Sequence, residues 1–498
     1  MGIYYSMKKK IIFVLLIVVF AIGGFLVVSK CFNKTENLTY YKQNLVYDAS
    51  SHVLEGTETV GFYNYTDNAL KELNLHLYAN AYKEGAKASV VSLANYEKAY
   101  PNGKSYGCVT IESVSHYEEY LTYEIAGEDQ NILKVILPEL VYPNEFFEFE
   151  IGFCVSLANI NHRLGYGSST INLCNYYPIM CVYEDGGFVT DLYNSNGDPF
   201  YSKMANYEVK ITYPKNLTLA STGSQKNVLD GENKITTITA ENVRDFAMVL
   251  SQKFENLEAN HGGVEIDYYY YGDSTPEDTL KVIKQVLDYN KKYGEYPYKN
   301  ISVVEANFVH GGMEYPNLVL ISDDLIDYQT YINVVVHELC HQWWYGVVGN
   351  NQYKYGFLDE GLTDYNTAKF YDAHPEYGVK SKTIFANATS SYATFEKVYA
   401  DVKKENFSTS MLKSLNEFET ENEYVYLSYV KGMLMFAELE NVLGAKKLDK
   451  CLKYYYQEHM FSEVVPQDLV DCFCKKGNKN LQSFFDSWFN GNVVLREF

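Results

Sequence analysis

The segment Val334-Val-Val-His337-Glu338-Leu-Cys-His341-Gln-Trp-Trp leaves this chain the fewest options. It reads as helix, with apolar residues leading into a charged cluster. Histidines four apart fall on one helix face, about one turn from each other. That is the separation two imidazole nitrogens need to reach one Zn²⁺. Glu338 stands beside them, placed to activate a water for attack on a substrate.

A catalytic zinc takes three protein ligands and keeps one position open. The third is available in Phe357-Leu-Asp359-Glu360-Gly361-Leu-Thr-Asp364-Tyr, the predicted start of a second helix. Eighteen residues separate His341 from Glu360, enough to finish one helix, turn and begin another. Standing alone, Asp359 and Glu360 would be ordinary acids at a helix N-terminus. Beside a histidine pair, Glu360 becomes the metal ligand. Asp364, one turn on, either orients a ligating histidine or is a solvated helix carboxylate.

Upstream lies His310-Gly311-Gly312-Met313-Glu314-Tyr315-Pro316, between two strand-like runs. Paired glycines let another backbone approach closely. A carboxylate just beyond them is positioned to hold a substrate's positive amine. The plainer alternative is a hairpin turn.

Around these motifs the chain divides by pattern. Residues 39–257 alternate apolar and polar positions, as in Thr57-Glu-Thr-Val-Gly-Phe-Tyr and Tyr207-Glu-Val-Lys-Ile-Thr-Tyr, which predicts a β-sandwich-like domain. Residues 258–380 mix strands with helices. Asp267–Tyr271 reads as strand, Thr279–Tyr293 as helix, and Ile301–Phe308 and Asn317–Ile321 as strands. Residues 381–498 read as helical. The expected fold class is multidomain α+β, and 498 residues are enough for about two to four domains.

The N-terminus carries Lys8, Lys9 and Lys10 before an apolar run, Ile11–Val28, followed by a polar linker over 29–38. Eighteen helical residues span about 27 Å, enough for a bilayer core. No small-x-small cleavage site follows. A signal anchor is therefore expected, with residues 1–10 cytoplasmic and a single-pass protein whose catalytic part lies outside the membrane. The alternative is secretion after signal cleavage. The formal net charge of −21 excludes nucleic-acid backbones as partners. The nine cysteines form no C-x-x-C pair and leave open whether Cys174 and Cys181 are bridged. The oligomeric state is open.

In these motifs the chain resembles the zinc aminopeptidases of the aminopeptidase N and leukotriene-hydrolase type, which are gluzincin metallopeptidases. Their signature is H-E-x-x-H, eighteen residues and Glu, with G-x-M-E-N upstream and Y-x-K-G downstream. Here these are His337–His341, Glu360, Gly311-Gly312-Met313-Glu314 and Tyr429-Val-Lys431-Gly432. Leu73-Asn-Leu-His-Leu-Tyr-Ala-Asn80 looks like that family's first domain. The resemblance implies a saddle-shaped β-domain, a thermolysin-like catalytic domain and a short helical C-terminal part. It further implies one zinc per chain, peptide substrates with a free N-terminus, and Glu338 as general base. Gly311, Gly312, Met313 and Glu314 would bind substrate, Glu314 taking the α-amine, and Tyr429 would stabilise the oxyanion. The family also draws a second polar residue near the amine from its β-domain, here assigned to Asn175. Two positions depart from the pattern: Tyr315 and Asp359 stand where the family carries asparagines. Within the same chemistry a zinc endopeptidase is the alternative, and outside it an inactive peptidase-like binding protein.

Overall fold

The computed structural model describes residues 37–404, 407–493 and 495. Period-two patterning builds the first half. In Thr39–Asp48, Tyr41, Gln43, Leu45 and Tyr47 point inward while Lys42, Asn44, Val46 and Asp48 face water. That strand lies centrally in an eight-stranded sheet. Its neighbours are Val53–Tyr63, antiparallel, and Ala205–Pro214, parallel. Two four-stranded sheets and a two-stranded ribbon, Tyr183–Glu184 with Gly187–Phe188, complete the β-domain. One four-stranded sheet contains Ile171–Cys174 and Ala247–Ser251, the other Leu70–His76 and Ile132–Val141.

A five-stranded sheet begins at Glu255 and carries the active-site elements. Its order is Glu255–His261, Val264–Tyr270, Asn300–Ala306, Leu318–Ser322 and Gly312–Met313. The three central strands run parallel; Asn300–Ala306 and Leu318–Ser322 are buried throughout, as strands covered on both faces are, while Val264–Tyr270 exposes Glu265. The helix read over Thr279–Tyr293 spans Pro276–Asn290 and buries Val282, Ile283, Val286 and Leu287. Gly312–Met313 pairs antiparallel with Leu318–Ser322 at the sheet edge, so the glycine segment is an edge strand rather than a bare turn.

Helices fill the remainder. Lys431–Leu443 packs on Glu360–Ala373, and Ala445–His459 packs on Pro466–Gly477. One short parallel pair, Val348–Asn350 with Ser462–Val464, ties the catalytic part to the C-terminal helices. There Arg244 of the β-domain pairs with Glu463 at 3.4 Å, and Lys203 pairs with Glu463 at 2.7 Å. Cys174 and Cys181 are free thiols. Among the described residues no helix is long and apolar enough to cross a membrane. The apolar run Ile11–Val28 lies outside the described residues.

Candidate active site

The motif helix, Tyr328–Cys340, starts where the Asp327 carboxylate accepts the Thr330 backbone N–H at 2.8 Å. Its β-branched run is a poor helix former by propensity. Burial of Ile332, Val335, Val336 and Leu339 against the sheet outweighs that preference. The helix closes at Cys340, and His341 follows in helical conformation with its N–H on the His337 carbonyl. The second ligand helix, Glu360–Ala373, lies against it.

Three side chains converge. His337 Nε2 and His341 Nε2 are 3.0 Å apart, and Glu360 Oε2 lies 3.3 Å from the first and 3.1 Å from the second. Metal bonds of about 2.0–2.1 Å to nitrogen and oxygen give tetrahedral edges of about 3.3 Å, so this donor set fits one zinc. Each histidine is fixed through its other nitrogen. His337 Nδ1 is 3.0 Å from Asp364, and His341 Nδ1 is 3.2 Å from both the Thr363 hydroxyl and the Trp344 carbonyl. Those partners present Nε2 to the metal position. Charge points the same way. Burial opposes a charge on His341, yet Glu360 lifts its pKa to about 10, while burial of Glu360 is overcome by His341, which holds it near 2. Glu338, Glu314 and Asp198 add further buried acids. A cavity with that surplus of carboxylates calls for a cation.

Glu338 is buried, and burial pushes its pKa up to about 7, within the range useful to a general base at neutral pH. Its Oε2 has no hydrogen-bond partner. A β-carbon on Gly312 would fall 2.4 Å from Glu338 Oε1, so only glycine leaves the carboxylate its space. Gln342, directly after His341, pins the glycine segment to the motif helix. Its Nε2 donates to the carbonyls of Glu314 and Tyr315 at 3.4 and 3.2 Å, and its Oε1 accepts from Asn317 N at 2.9 Å.

Tyr429 donates its hydroxyl to Glu360 Oε1 at 2.6 Å. It sits in a π-helical stretch, Val425–Val430, of the kind often found at functional sites. The wider turn brings Tyr424, five residues earlier, against it, with ring centroids 5.7 Å apart. The Tyr424 hydroxyl is buried and has no partner.

The cavity in front of the ligands is about 420 Å³ and is lined by Gly311, Gly312, His337, Glu338, Asp198 and Tyr429, among others. Met313 turns its sulfur toward Arg163 Nε, 3.3 Å away. Neither Asn175 nor Glu314 is on the cavity wall, and both are buried. Asn175 accepts the Tyr315 hydroxyl at 2.9 Å and its Nδ2 lies 3.5 Å from Asp245 Oδ1.

Sequence reasoning passed over four residues here: Arg163, Asp198, Gln352 and Tyr424. Arg163 and Asp198 form a buried ion pair beside the glycine segment. Ligand atoms of Asp198, Glu314 and Glu360 lie within 4.8 Å of one another. One signal was available. The chain has only three arginines, and both described ones, Arg163 and Arg244, are buried and ion-paired. Where lysine otherwise supplies positive charge, a retained arginine marks a site that needs its planar fork.

Residues 277–488 match the peptidase family M1 domain. Leucine aminopeptidase 2 of Aspergillus fumigatus is 25% identical over 222 residues, 43% of this chain and 34% of the fungal protein. The Candida glabrata protein of the same name is 29% identical over 188 residues, 36% of this chain and 28% of its own length. The matched stretches thus span about a third of those relatives. An M1 zinc metallopeptidase from Deinococcus radiodurans superimposes with a TM-score of 0.65 at 13% identity, covering 93% of this chain and 96% of that one. A variant of it bound to a Tyr-Ser-Ala substrate gives 0.66 at 14%, covering 93% and 95%. At that identity the likeness establishes the fold, an M1 architecture with a β-rich N-terminal domain and a helical C-terminal part.

Proposed function

We propose that this chain is a zinc-dependent aminopeptidase that removes N-terminal residues from peptides. The observation that carries the reading is the distance from Glu314 to the metal position. In a peptide's first residue the amine nitrogen and the scissile carbonyl carbon are about 2.5 Å apart. A carboxylate that holds the amine must therefore lie within about 5 Å of the carbonyl carbon, close beside the metal position. Glu314 and Glu360 have oxygens within 4.8 Å of each other. Both are buried, and burial followed by the neighbouring Asp198 raises the Glu314 pKa, so a positive amine is the group this carboxylate lacks.

His337, His341 and Glu360 are the residues that would hold zinc. Zinc held there supplies Lewis acidity, which acidifies water and polarises a carbonyl. Glu338 takes the proton of the attacking water and hands it to the leaving amine. Tyr429 turns its hydroxyl to the oxygen that gains charge. Glu314 pairs with the substrate ammonium and sets the register at one residue. The M1 match and the peptide complex of the Deinococcus neighbour support the reading.

The test uses the full-length protein and a peptide library offered with free and with acetylated N-termini, with and without chelator, products read by mass. Acetylation leaves Glu314 desolvated and unpaired, which costs on the order of 2–5 kcal/mol. Free peptides should be preferred at least tenfold in kcat/KM and should lose single N-terminal residues, and chelator should stop turnover. Internal cleavage of acetylated peptides at equal rate would make the protein a zinc endopeptidase instead.

We further propose that the catalytic part works outside the cytoplasmic membrane, attached through residues 11–28. The lysine cluster before the apolar run and the missing cleavage site support this. N-terminal sequencing of the native protein tests it: a mature chain starting near residue 30 would mean a cleaved signal and release.

A further inference from the structure

The short helix Gln352–Tyr355 places a fully buried glutamine between the amine-binding carboxylate and the metal-holding helix. Gln352 Nε2 lies 2.6 Å from Glu314 Oε1 and 2.8 Å from Asp359 Oδ2. An amide nitrogen has two hydrogens, and here each goes to a different carboxylate. This orientation gives each carboxylate a donor and leaves Gln352 Oε1 without a partner, whereas the reversed amide would turn its oxygen to two ionised acids. Asp359 is held from its other side as well, its Oδ1 accepting from Asn350 Nδ2 at 2.9 Å. Two amide donors therefore converge on residue 359, which must offer two acceptors. A carboxylate offers each donor its own oxygen, which an asparagine does not. This accounts for aspartate just before the third ligand, where related sequences carry asparagine.

We propose that Gln352 is the positioning residue for Glu314. In this scheme Glu314, Gln352, Asp359 and Asn350 form one hydrogen-bonded chain that fixes the amine subsite to the helix carrying Glu360. The inference rests on the aminopeptidase reading and names what holds its key carboxylate in place. Gln352 fixes Glu314 Oε1, which directs the second oxygen to the substrate ammonium. Without that bond the carboxylate is free to rotate, and the loss falls on substrates that present an amine.

The experiment compares free and N-acetylated forms of one peptide on the full-length zinc enzyme. In Gln352→Met, which keeps the side-chain length and removes both donors, the free-over-acetylated ratio in kcat/KM should fall about tenfold. Most of the change should lie in KM for the free peptide, with zinc content kept. Asp359→Asn should reduce the same ratio, because one of its two donors then faces another donor. In the double variant Glu314→Gln/Gln352→Met the ratio should fall no further than in Glu314→Gln alone, because Gln352 acts on substrate only through that carboxylate. Independent structural effects would add instead. A wild-type ratio in Gln352→Met, with the ratio lost in Glu314→Gln, would overturn the inference and leave the aminopeptidase reading standing. If Gln352→Met does not fold, Asp359→Asn decides, and a wild-type ratio in that variant overturns the inference. A wild-type enzyme with no preference for free amines would instead remove the reading on which it rests.

Discussion

A single methyl group at position 361 is expected to disable the enzyme while leaving its metal in place. Gly361 follows the ligand Glu360, and its Cα faces Gly432 at the start of the Lys431–Leu443 helix. A β-carbon built on Gly361 meets Gly432 Cα at 2.6 Å, the Gly432 carbonyl carbon at 2.8 Å and the Ser428 oxygen at 3.0 Å. Carbon atoms in ordinary contact sit about 3.5–4.0 Å apart, so the two helices must part by about 1 Å. All three obstructing atoms are backbone, and no change of rotamer relieves the clash. Residues 428 and 432 bracket Tyr429, so the displacement is passed to its hydroxyl. Overpacking on this scale costs about 1–3 kcal/mol of stability. A misplacement of about 1 Å at a reacting centre costs about a hundredfold in rate. Gly361→Ala should therefore show kcat lowered about a hundredfold, one zinc per chain and a modestly lower melting temperature. Steady-state kinetics on a short free-amine peptide, elemental analysis and a thermal melt make the three measurements. A kcat within about threefold of wild type would show that the glycine contact does not set Tyr429. Loss of zinc would show that the helix bearing Glu360 yields first, and would refute the separation of the two functions.

The other expectations concern the site directly. Glu338→Gln should keep zinc and the fold and lose at least about two orders of magnitude in kcat, as removal of a general base does; near-normal kcat would refute its role. Tyr429→Phe should also keep zinc and lower kcat by about two to three orders, whereas a change confined to KM would make Tyr429 a ground-state binder. Chelation should abolish turnover and lower the melting temperature together, because zinc binds the folded site and offsets its buried acids. Added zinc should restore both, and a chelated protein that melts at the wild-type temperature would show that the metal is not coupled to the fold.

Much of this arrangement is legible from local periodicity. Spacings of four and eighteen place His337, His341 and Glu360 on two adjacent helices, and alternation in Thr39–Asp48 marks its buried face. What is not legible depends on contacts distant in sequence. Asp198 enters the cavity from an irregular loop held where Asn196 Nδ2 donates to the Phe418 carbonyl at 2.8 Å, 222 residues away. Gln352 matters only because Glu314, 38 residues earlier, folds against it. Asn175 has the polar side chain expected of an amine-site residue, but Tyr315 takes its oxygen, and that pairing exists only once the β-domain has docked. Tyr315 thus replaces the family's asparagine with a ring anchored from another domain.

The π-helical turn at Val425–Val430 lets this part of the site absorb a change in residue number. A π turn is an α-helix carrying one extra residue. Tyr424 and Tyr429 stand five apart, an interval that in an ordinary helix would turn them about 140° from each other. The wider turn brings the two rings together. Delete one residue between them and the stretch can relax to an ordinary helix, in which the tyrosines stand four apart and again share a face. Relaxation with the residue count unchanged would instead carry one ring away from the cavity. In this stretch, then, divergent sequences with the same geometry should show either this interval or one residue fewer, and an insertion is the change that separates the rings.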